Sequence, residues 1–273
     1  GEIRPMNNAC RVGLCPPHAT FSRHTNPRNI FCFTTPAPWT KLYRKSFIEE
    51  NGLRFQETRS ANDLRFTFTS LAVAEKITVL DEKLVTYRRE NSSSLQSTQG
   101  KDPFAFFHAL VALRDELQER NAFSDIHHAY VNAALDMCMY NLRTLRNSPE
   151  SQRAVFNFLR DTGFTDLELA GRPRNYFYEY PSSRYDDYLL VRYGSFDEYR
   201  QATAPAVDTA NLTLRQKLRR FIPLRASVYD RRRDKTDKQL KLLRYEIQQL
   251  AEQNPQLVRA VDQLQKKGDG DQP

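Results

Sequence analysis

The spacing of apolar residues predicts short elements of two kinds in the first hundred residues. A helix is predicted over residues 46–51, because Ser46 and Glu49 have capping-box spacing and Gly52 stands where a left-handed C-cap is favoured. The runs K-I-T-V-L at 76–80 and L-V-T-Y-R at 84–88 are rich in β-branched residues and are split by three polar residues. They predict a hairpin or two neighbouring strands.

From residue 102 onwards the period of the apolar residues becomes helical. Asp102 and Pro103 predict a helix start, and one apolar stripe follows as far as about residue 120. Its members are Phe104, Phe107, Leu110, Val111 and Leu117. Further helices are predicted over 124–146 and 150–161, and Gly163 is expected to terminate the second of them. A tyrosine-rich run at 176–199 is either an aromatic seam that docks these helices or the lining of a binding groove.

A heptad repeat occupies the last predicted helix. The a positions are Leu240, Ile247, Asn254 and Val261, and the d positions are Leu243, Leu250, Leu257 and Leu264. This pattern is typical of a parallel two-stranded coiled coil, so a homodimer through 239–266 is predicted. Pro255 conflicts with a continuous helix, which limits the prediction to residues up to about 253. The alternative is a helix folded back on its own domain. Residues 267–273 are expected to be disordered.

The positive charge of the chain is local. Twelve basic and three acidic residues lie between positions 211 and 244, whereas the whole chain has a net charge of +8. Apolar residues at helical spacing among them, namely Leu214, Leu218, Phe221 and Ile222, favour a helix lying on an anionic membrane surface. A solvated linker is the alternative, and nucleic acid is not expected because no recognition motif accompanies the charge. No apolar run approaches the length of a membrane span.

Three cysteines lie in the irregular first 37 residues. Cys10, Cys15 and Cys32 could form a zinc site with His18 and His24, but the spacing fits no C-x2-C pattern. Reduced cytosolic thiols are the alternative, and no metal ligands are assigned. Cys138 falls within a helical pattern and is predicted to be a small core residue.

The segment 38–94 combines several weak motifs in a fixed order. They are Trp39 with Lys41 in a turn, Asn51–Phe55 after a helix, the Asn62-Asp63 pair, the run 77–80, and Tyr87-Arg88 followed by serines at 92–94. Together they resemble the acceptor-side half of family-two glycosyltransferases, enzymes of the GT-A fold. The resemblance covers about a fifth of the chain.

This resemblance implies an α/β fold for the first part of the chain, and the helical, charge and heptad patterns divide the rest. Residues 1–100 would be the C-terminal part of a GT-A domain, an α/β remnant, and 101–204 a mostly α-helical extension. Residues 205–238 would form a basic amphipathic linker or helix, 239–266 a coiled coil and 267–273 a tail.

The resemblance also assigns roles to site residues. Asp63 would be the general base that takes the proton from an acceptor hydroxyl during inverting transfer. Trp39, Lys41 and Asn62 would contact the acceptor, and Arg88 and Arg89 the leaving diphosphate. Because Asn62 replaces the usual first acid, Asp63 is expected to titrate near its ordinary value. The alternative for Asp63 is an ordinary loop acid or a helix N-cap.

The nucleotide-binding features of such an enzyme are not found in the sequence. Mg²⁺ or Mn²⁺ would be expected, but no Asp-x-Asp precedes Trp39, and D-G-D at 269–271 lies in the predicted tail. We therefore expect the C-terminal part of a longer enzyme, inactive by itself, which uses a nucleotide-sugar donor and a glycan or lipid-linked acceptor for cell-surface polysaccharide. It would be cytoplasmic, at the inner face of the membrane. The alternative is a catalytically inactive membrane-associated or oligomerising module.

Overall fold

The computed structural model describes residues 10–16, 20–80, 82, 84–86, 102–178, 184–204 and 224–254, with the backbone alone for 224–235. The chain divides into two compact units. The first comprises Gly1–Ala170 and Asn175–Arg184, and the second comprises Gly171–Arg174 and Tyr185–Pro273.

The N-terminal part of the first unit is built from single turns and two helices. The 3-10 turns are Val12–Leu14, Pro27–Asn29 and Pro38–Thr40, and the helices are α1, Lys45–Glu50, and α2, Asn62–Val73. The predicted position of α1 is confirmed. Gly52 has φ +59° and ends α1 in a Schellman motif, with Leu53 N bonded to Ile48 O at 3.0 Å. The predicted capping box is wrong, because no side chain caps the N-terminus of α1.

The α/β prediction is contradicted by the structure. The described residues are mostly helical and contain no sheet, only two isolated bridges, Cys10 with Thr34 and Phe21 with Ile77. The run 76–80 therefore forms one bridge instead of a strand, and 84–86 form none. A hairpin alone buries too little to be stable, and here the apolar side chains of Leu80, Leu84 and Val85 remain exposed. Positions 87 and 88 lie outside the described residues.

Helices α3 to α6 supply the core of the first unit. They are Ala105–Glu119, Phe123–Thr144, Pro149–Phe158 and Phe164–Asp166, with a 3-10 turn, Leu145–Asn147, and a π turn, Leu159–Gly163, between them. The three helices predicted after residue 102 are thereby confirmed, although α3 begins at Ala105 and not directly after Pro103. Leu110, Leu117 and Cys138 of the predicted apolar positions are fully buried. Each fully buried leucine contributes roughly 1.5–3 kcal/mol to folding.

The second unit is an aromatic helix pair covered by a long helix. Its elements are α7, Tyr185–Tyr193, α8, Phe196–Ala202, and α9, Leu224–Gln253. Tyr185, Tyr188 and Tyr199 are fully buried, which supports the seam interpretation of this part of the tyrosine-rich run. The N-terminus of α8 carries a capping box between Ser195 and Glu198.

Helix α9 ends at Gln253, where the sequence predicted the end of a continuous helix. A proline disfavours helical backbone angles at the residue before it, and Pro255 therefore explains why the helix stops before Asn254. The second half of the predicted coiled coil, the basic segment 205–223 and the predicted tail lie outside the described residues.

None of the helices in the described part of the chain has the length and apolar content required to span a bilayer.

Candidate active site

Lys41 closes the turn that carries Trp39. Its Nζ lies 2.7 Å from Thr35 O, 3.0 Å from Ala37 O and 2.9 Å from Thr40 Oγ1. An ammonium group has three N–H donors, so these acceptors alone can use all of them. Burial lowers the pKa of Lys41 to about 8, while the Asp63 carboxylate is among the groups that oppose this change. Lys41 is therefore held in the first unit as a charged group that organises residues 34–41.

Asp63 lies in the first turn of α2. Burial raises the pKa of its carboxyl above the ordinary value, and hydrogen bonds from the backbone N–H groups of Asp63 and Leu64, together with attraction to Lys41, oppose this shift. The helix N-terminus also favours the negative form. Desolvation outweighs these effects, so the expectation of an ordinary pKa was wrong. That expectation considered the missing neighbouring acid but not the burial of the carboxyl group.

The backbone just before Asp63 is strained. Ala61 occupies the N-cap position of α2 with φ +58° and ψ +17°, in the left-handed region. This conformation costs a residue with a Cβ on the order of 1–2 kcal/mol. Strain of this kind is concentrated at functional sites, where the surrounding structure enforces it. Here it fixes the direction in which the chain enters α2 and hence the position of Asp63.

The other predicted site residues are placed as follows. Trp39, the only tryptophan in the chain, lies in the Pro38–Thr40 turn with about two fifths of its surface exposed. Asn62 is the first residue of α2, directly before Asp63. Arg88 and Arg89, expected to bind diphosphate, lie outside the described residues. The charges of Lys41 and Asp63 therefore influence each other, and Trp39 is partly exposed on the same turn as Lys41.

A polar network that the sequence did not indicate connects α2 to α3. Arg65 of α2 is bonded to Glu116, which also accepts hydrogen bonds from Arg120 Nε at 3.0 Å and Nη2 at 2.9 Å. Arg120 Nη2 further donates to Asn51 O at 2.9 Å, at the end of α1. This network holds α1, α2 and α3 in one arrangement. Only the spacing of Glu116 and Arg120 was visible in the sequence, because Arg65 is far from both along the chain.

Aromatic packing supports α2 from the side of α1. The ring of Phe55 stacks on Phe66 with centroids 4.1 Å apart, and Tyr43 meets Phe66 edge-on at 5.3 Å. Tyr43 Oη is 3.4 Å from Ser70 Oγ. The motif at Asn51–Phe55 thus contributes a packing residue, Phe55, and the glycine that ends α1, Gly52.

A pocket elsewhere in the first unit is too small for a sugar. It has a volume of about 60 Å³ and is lined by Arg11, Phe31, Phe68, Asn132, Tyr178 and the Arg184–Asp136 ion pair, among others. Pockets that enclose small organic ligands usually have volumes of about 300–1,000 Å³. The polar groups of Asn132 are also already used, with Oδ1 accepting from Tyr178 N at 2.7 Å. This pocket is not a site for the proposed substrates.

Two histidines of α4 pair with other side chains. His127 Nε2 lies 2.7 Å from Glu168 Oε2, and its Nδ1 lies 3.3 Å from Tyr176 Oη. His128 Nδ1 lies 2.8 Å from Tyr178 Oη. These contacts join α4 to the loops that follow α6, and so they have a structural explanation.

The N-terminal cysteines lie near one another. Burial, followed by the effects of Cys10 and Cys32, raises the pKa of the Cys15 thiol to about 11. Burial also raises the pKa of Cys32 to about 11. Both groups are therefore protonated at neutral pH, the form that is least able to bind a metal or attack an electrophile. Of the two candidate histidines, His18 lies outside the described residues, and His24 Nδ1 lies 4.0 Å from Asp125 Oδ2.

The described residues do not provide the ligand set that Mg²⁺ or Mn²⁺ would require. No group of three or more histidine, cysteine, aspartate or glutamate side chains comes together among them. The Mg²⁺ or Mn²⁺ implied by the resemblance, with ligands expected outside this chain, stays a prediction for the longer enzyme.

Asp63 is the group in this region with the properties of a proton acceptor. Its carboxyl group is partly buried, is influenced by the charge of Lys41 and has a raised pKa, a combination that is enriched at functional sites. Comparisons of the chain with protein-family models, curated proteins and solved structures found no match. The function therefore has to be argued from this site alone.

Proposed function

We propose that residues 38–80 form the acceptor-side site of a glycosyltransferase, in which Asp63 is the general base for transfer from a nucleotide-sugar donor. The observation that carries the proposal is the partly buried carboxyl of Asp63 at the N-terminus of α2, with a pKa raised by burial. A raised pKa makes the carboxylate form of this group a stronger base.

The neighbouring residues have roles that agree with this chemistry. Trp39 is partly exposed, and its indole is a flat apolar group of the kind against which a sugar ring stacks. Lys41 fixes the Trp39 turn and places a positive charge near Asp63, so we assign it a positioning role. Asn62 precedes the base and has an amide that could bond an acceptor hydroxyl. No step is assigned to a metal ion.

The location of the reaction follows from the expected acceptor. A glycan or lipid-linked acceptor for cell-surface polysaccharide would be met in the cytoplasm at the inner face of the membrane. The excess of basic residues between positions 211 and 244 supports attraction to that anionic surface.

The decisive experiment is a transfer assay with the full-length gene product. UDP- and GDP-sugars with Mn²⁺ are the donors, and a panel of glycan and lipid-linked acceptors is tested. In any pairing that shows transfer, Asp63→Asn should lower kcat by roughly 10²- to 10⁴-fold, because the variant cannot accept the proton. The fold should remain intact by circular dichroism.

The matched control is Asp161→Asn, which removes a mostly exposed acid of the same unit. It should keep near-normal kcat. The wild-type rate should also rise with pH through a pKa above the ordinary 3.8 of an aspartate, since only the ionised carboxylate is a base. Transfer by Asp63→Asn at close to the wild-type rate, or absence of transfer with every donor and acceptor, would refute the proposal.

A further inference from the structure

Helix α9 has two apolar faces, and the described residues of its own unit cover one of them. The covered face includes Leu242 and Gln249, which are 8% and 2% exposed. Gln249 Nε2 donates to Arg172 O at 2.7 Å and to Tyr185 Oη at 3.0 Å. Lys241 is bonded to Glu198 of α8, and Tyr193 packs beside Tyr245. In heptad terms, b, c and f positions of α9 hold it on its unit, and the g positions Glu246 and Gln253 add bonds to Arg174 and Gly171.

The a and d positions of the same helix remain exposed. Leu240 is 53% exposed, and Leu243, Ile247 and Leu250 are each 52% exposed. These four residues, here called the a/d stripe, follow the 3-4-3 spacing of a coiled-coil seam. One face of α9 therefore packs on its own domain, as in the alternative prediction. The a/d stripe on the other face remains exposed.

We propose that the a/d stripe binds the a/d stripe of a second copy of this chain, as a parallel two-stranded coiled coil. The stripe is self-complementary, because alternating a and d residues of one helix fill the spaces between those of an identical helix in register. β-branched Ile247 at a and leucines at d favour two strands. The sequence pattern continues past the described residues, with leucines at d positions 257 and 264.

The charges beside the stripe select the parallel orientation. The e and g positions that flank it are Gln239, Arg244, Glu246, Ala251 and Gln253. In a parallel pair, position g faces e of the next heptad of the partner, so Gln239 meets Arg244 and Glu246 meets Ala251. In an antiparallel pair with the same four layers, Arg244 would face Arg244 and Glu246 would face Glu246. The Arg244 contact would be repulsive, whereas the charge of Glu246 is already paired with Arg174 of its own unit, so the Arg244 contact favours the parallel pair.

Asn254 supports the same orientation. It occupies an a position at the end of α9, and a single polar residue at a fixes register at some cost in stability. Only in the parallel, in-register pair do the two Asn254 side chains meet each other.

The first test is the concentration dependence of mass for the full chain by analytical ultracentrifugation. The wild type should be a reversible or stable dimer. Ile247→Asn should raise the dimer dissociation constant by roughly 30-fold or more, because two half-exposed isoleucines lose their partner. Gln248→Asn is the matched control, since it introduces the same residue at the neighbouring exposed b position and should leave the dissociation constant unchanged.

The second test reports orientation by disulfide cross-linking. Leu243→Cys should link to itself under mild oxidation, with the wild type and its four cysteines treated identically as background. An equimolar mixture of Leu243→Cys and Ile247→Cys should not yield the mixed product preferentially. A monomeric wild type, an equal effect of Ile247→Asn and Gln248→Asn, or preferential mixed cross-linking would each overturn the proposal. None of these results depends on transferase activity, so this proposal and the proposed function fail independently.

Discussion

At the scale of single residues, burial decides the chemistry of the candidate site. Lys41 and Asp63 carry opposite charges in a partly desolvated region, and burial moves the pKa of each towards the neutral form. Their mutual attraction opposes both shifts.

The strain at Ala61 provides a prediction at the same scale. Ala61→Gly should raise the free energy of unfolding by roughly 0.5–1 kcal/mol, because glycine adopts positive φ without the steric cost of a Cβ. Urea titration followed by circular dichroism measures the change.

The control for this prediction is Ala133→Gly, in the middle of α4, where the same substitution should lower the free energy of unfolding by about 1 kcal/mol. If Ala61→Gly destabilises the protein to the same extent, the backbone conformation of Ala61 carries no steric strain. If Ala61→Gly also lowers transfer activity while raising stability, the strained entry into α2 serves the site.

At the scale of elements, helix ends are set by local chemistry. α1 stops where Gly52 accepts a left-handed conformation, and its last carbonyl groups are satisfied by Gly52 N and Leu53 N. The carbonyl of Asn51 at the same end accepts from Arg120 of α3. The end of α1 is thus both a local stop and an anchoring point for the network around Glu116.

Gly52→Ala tests the value of this helix end. It should lower the free energy of unfolding by about 1 kcal/mol, because alanine at φ +59° is strained. Gly13→Ala is a matched control, since a Cβ at either glycine meets open space and only Gly52 has positive φ.

Thermal or urea unfolding of both variants gives the comparison. Equal stability of the two variants would show that the Schellman motif at Gly52 is not formed in solution.

At the scale of the whole molecule, the chain is organised as two units, each with its own core. The second unit depends on α9, which is separated in sequence from the helix pair it covers. Arg174 contributes to this packing by binding Asp186 at 2.8 Å and Glu246 Oε1 at 2.6 Å. Stability of this unit is therefore expected to respond to the charges that link α9 to α7 and α8.

The Glu198–Lys241 pair provides a pH test of that link. Hydrogen bonding to Lys241 and to the Ser195 backbone lowers the pKa of Glu198 from 4.5 to about 2. A lowered pKa in the folded state stabilises the unit above pH 4.5, and this stabilisation is lost as pH falls from 4.5 towards 2. Both side chains are partly exposed, so solvent screening reduces the effect.

Glu198→Gln should therefore flatten the pH dependence of stability between pH 4.5 and 2, while retaining a residue that can complete the capping box. Hydrogen exchange of the amides of α8 and the adjacent part of α9 is the measurement. Asp237→Asn removes an exposed acid of α9 and should leave the wild-type pH dependence unchanged. If Glu198→Gln lost stability between pH 4.5 and 2 as steeply as the wild type, the pair would not hold α9.

The sequence by itself determined the features that depend on residues a few positions apart. The helical period after residue 102, the left-handed stop at Gly52 and the end of α9 before Pro255 were all predicted and are confirmed. Each depends on backbone angles and on side chains within about two helical turns, which the sequence lists directly. The a/d spacing of α9 was likewise visible, and dimerisation through it remains a prediction.

Only the tertiary structure decided the features that depend on distant residues. A run such as 76–80 becomes a strand only when another strand pairs along its length, and here Phe21 supplies a single bridge. The pKa of Asp63 depends on the groups that exclude water from it, and Glu116 is bonded to Arg65 from another helix. The sequence also left undetermined which face of α9 is covered, because apolar residues lie on both faces. Packing on α7 and α8 selected one of them.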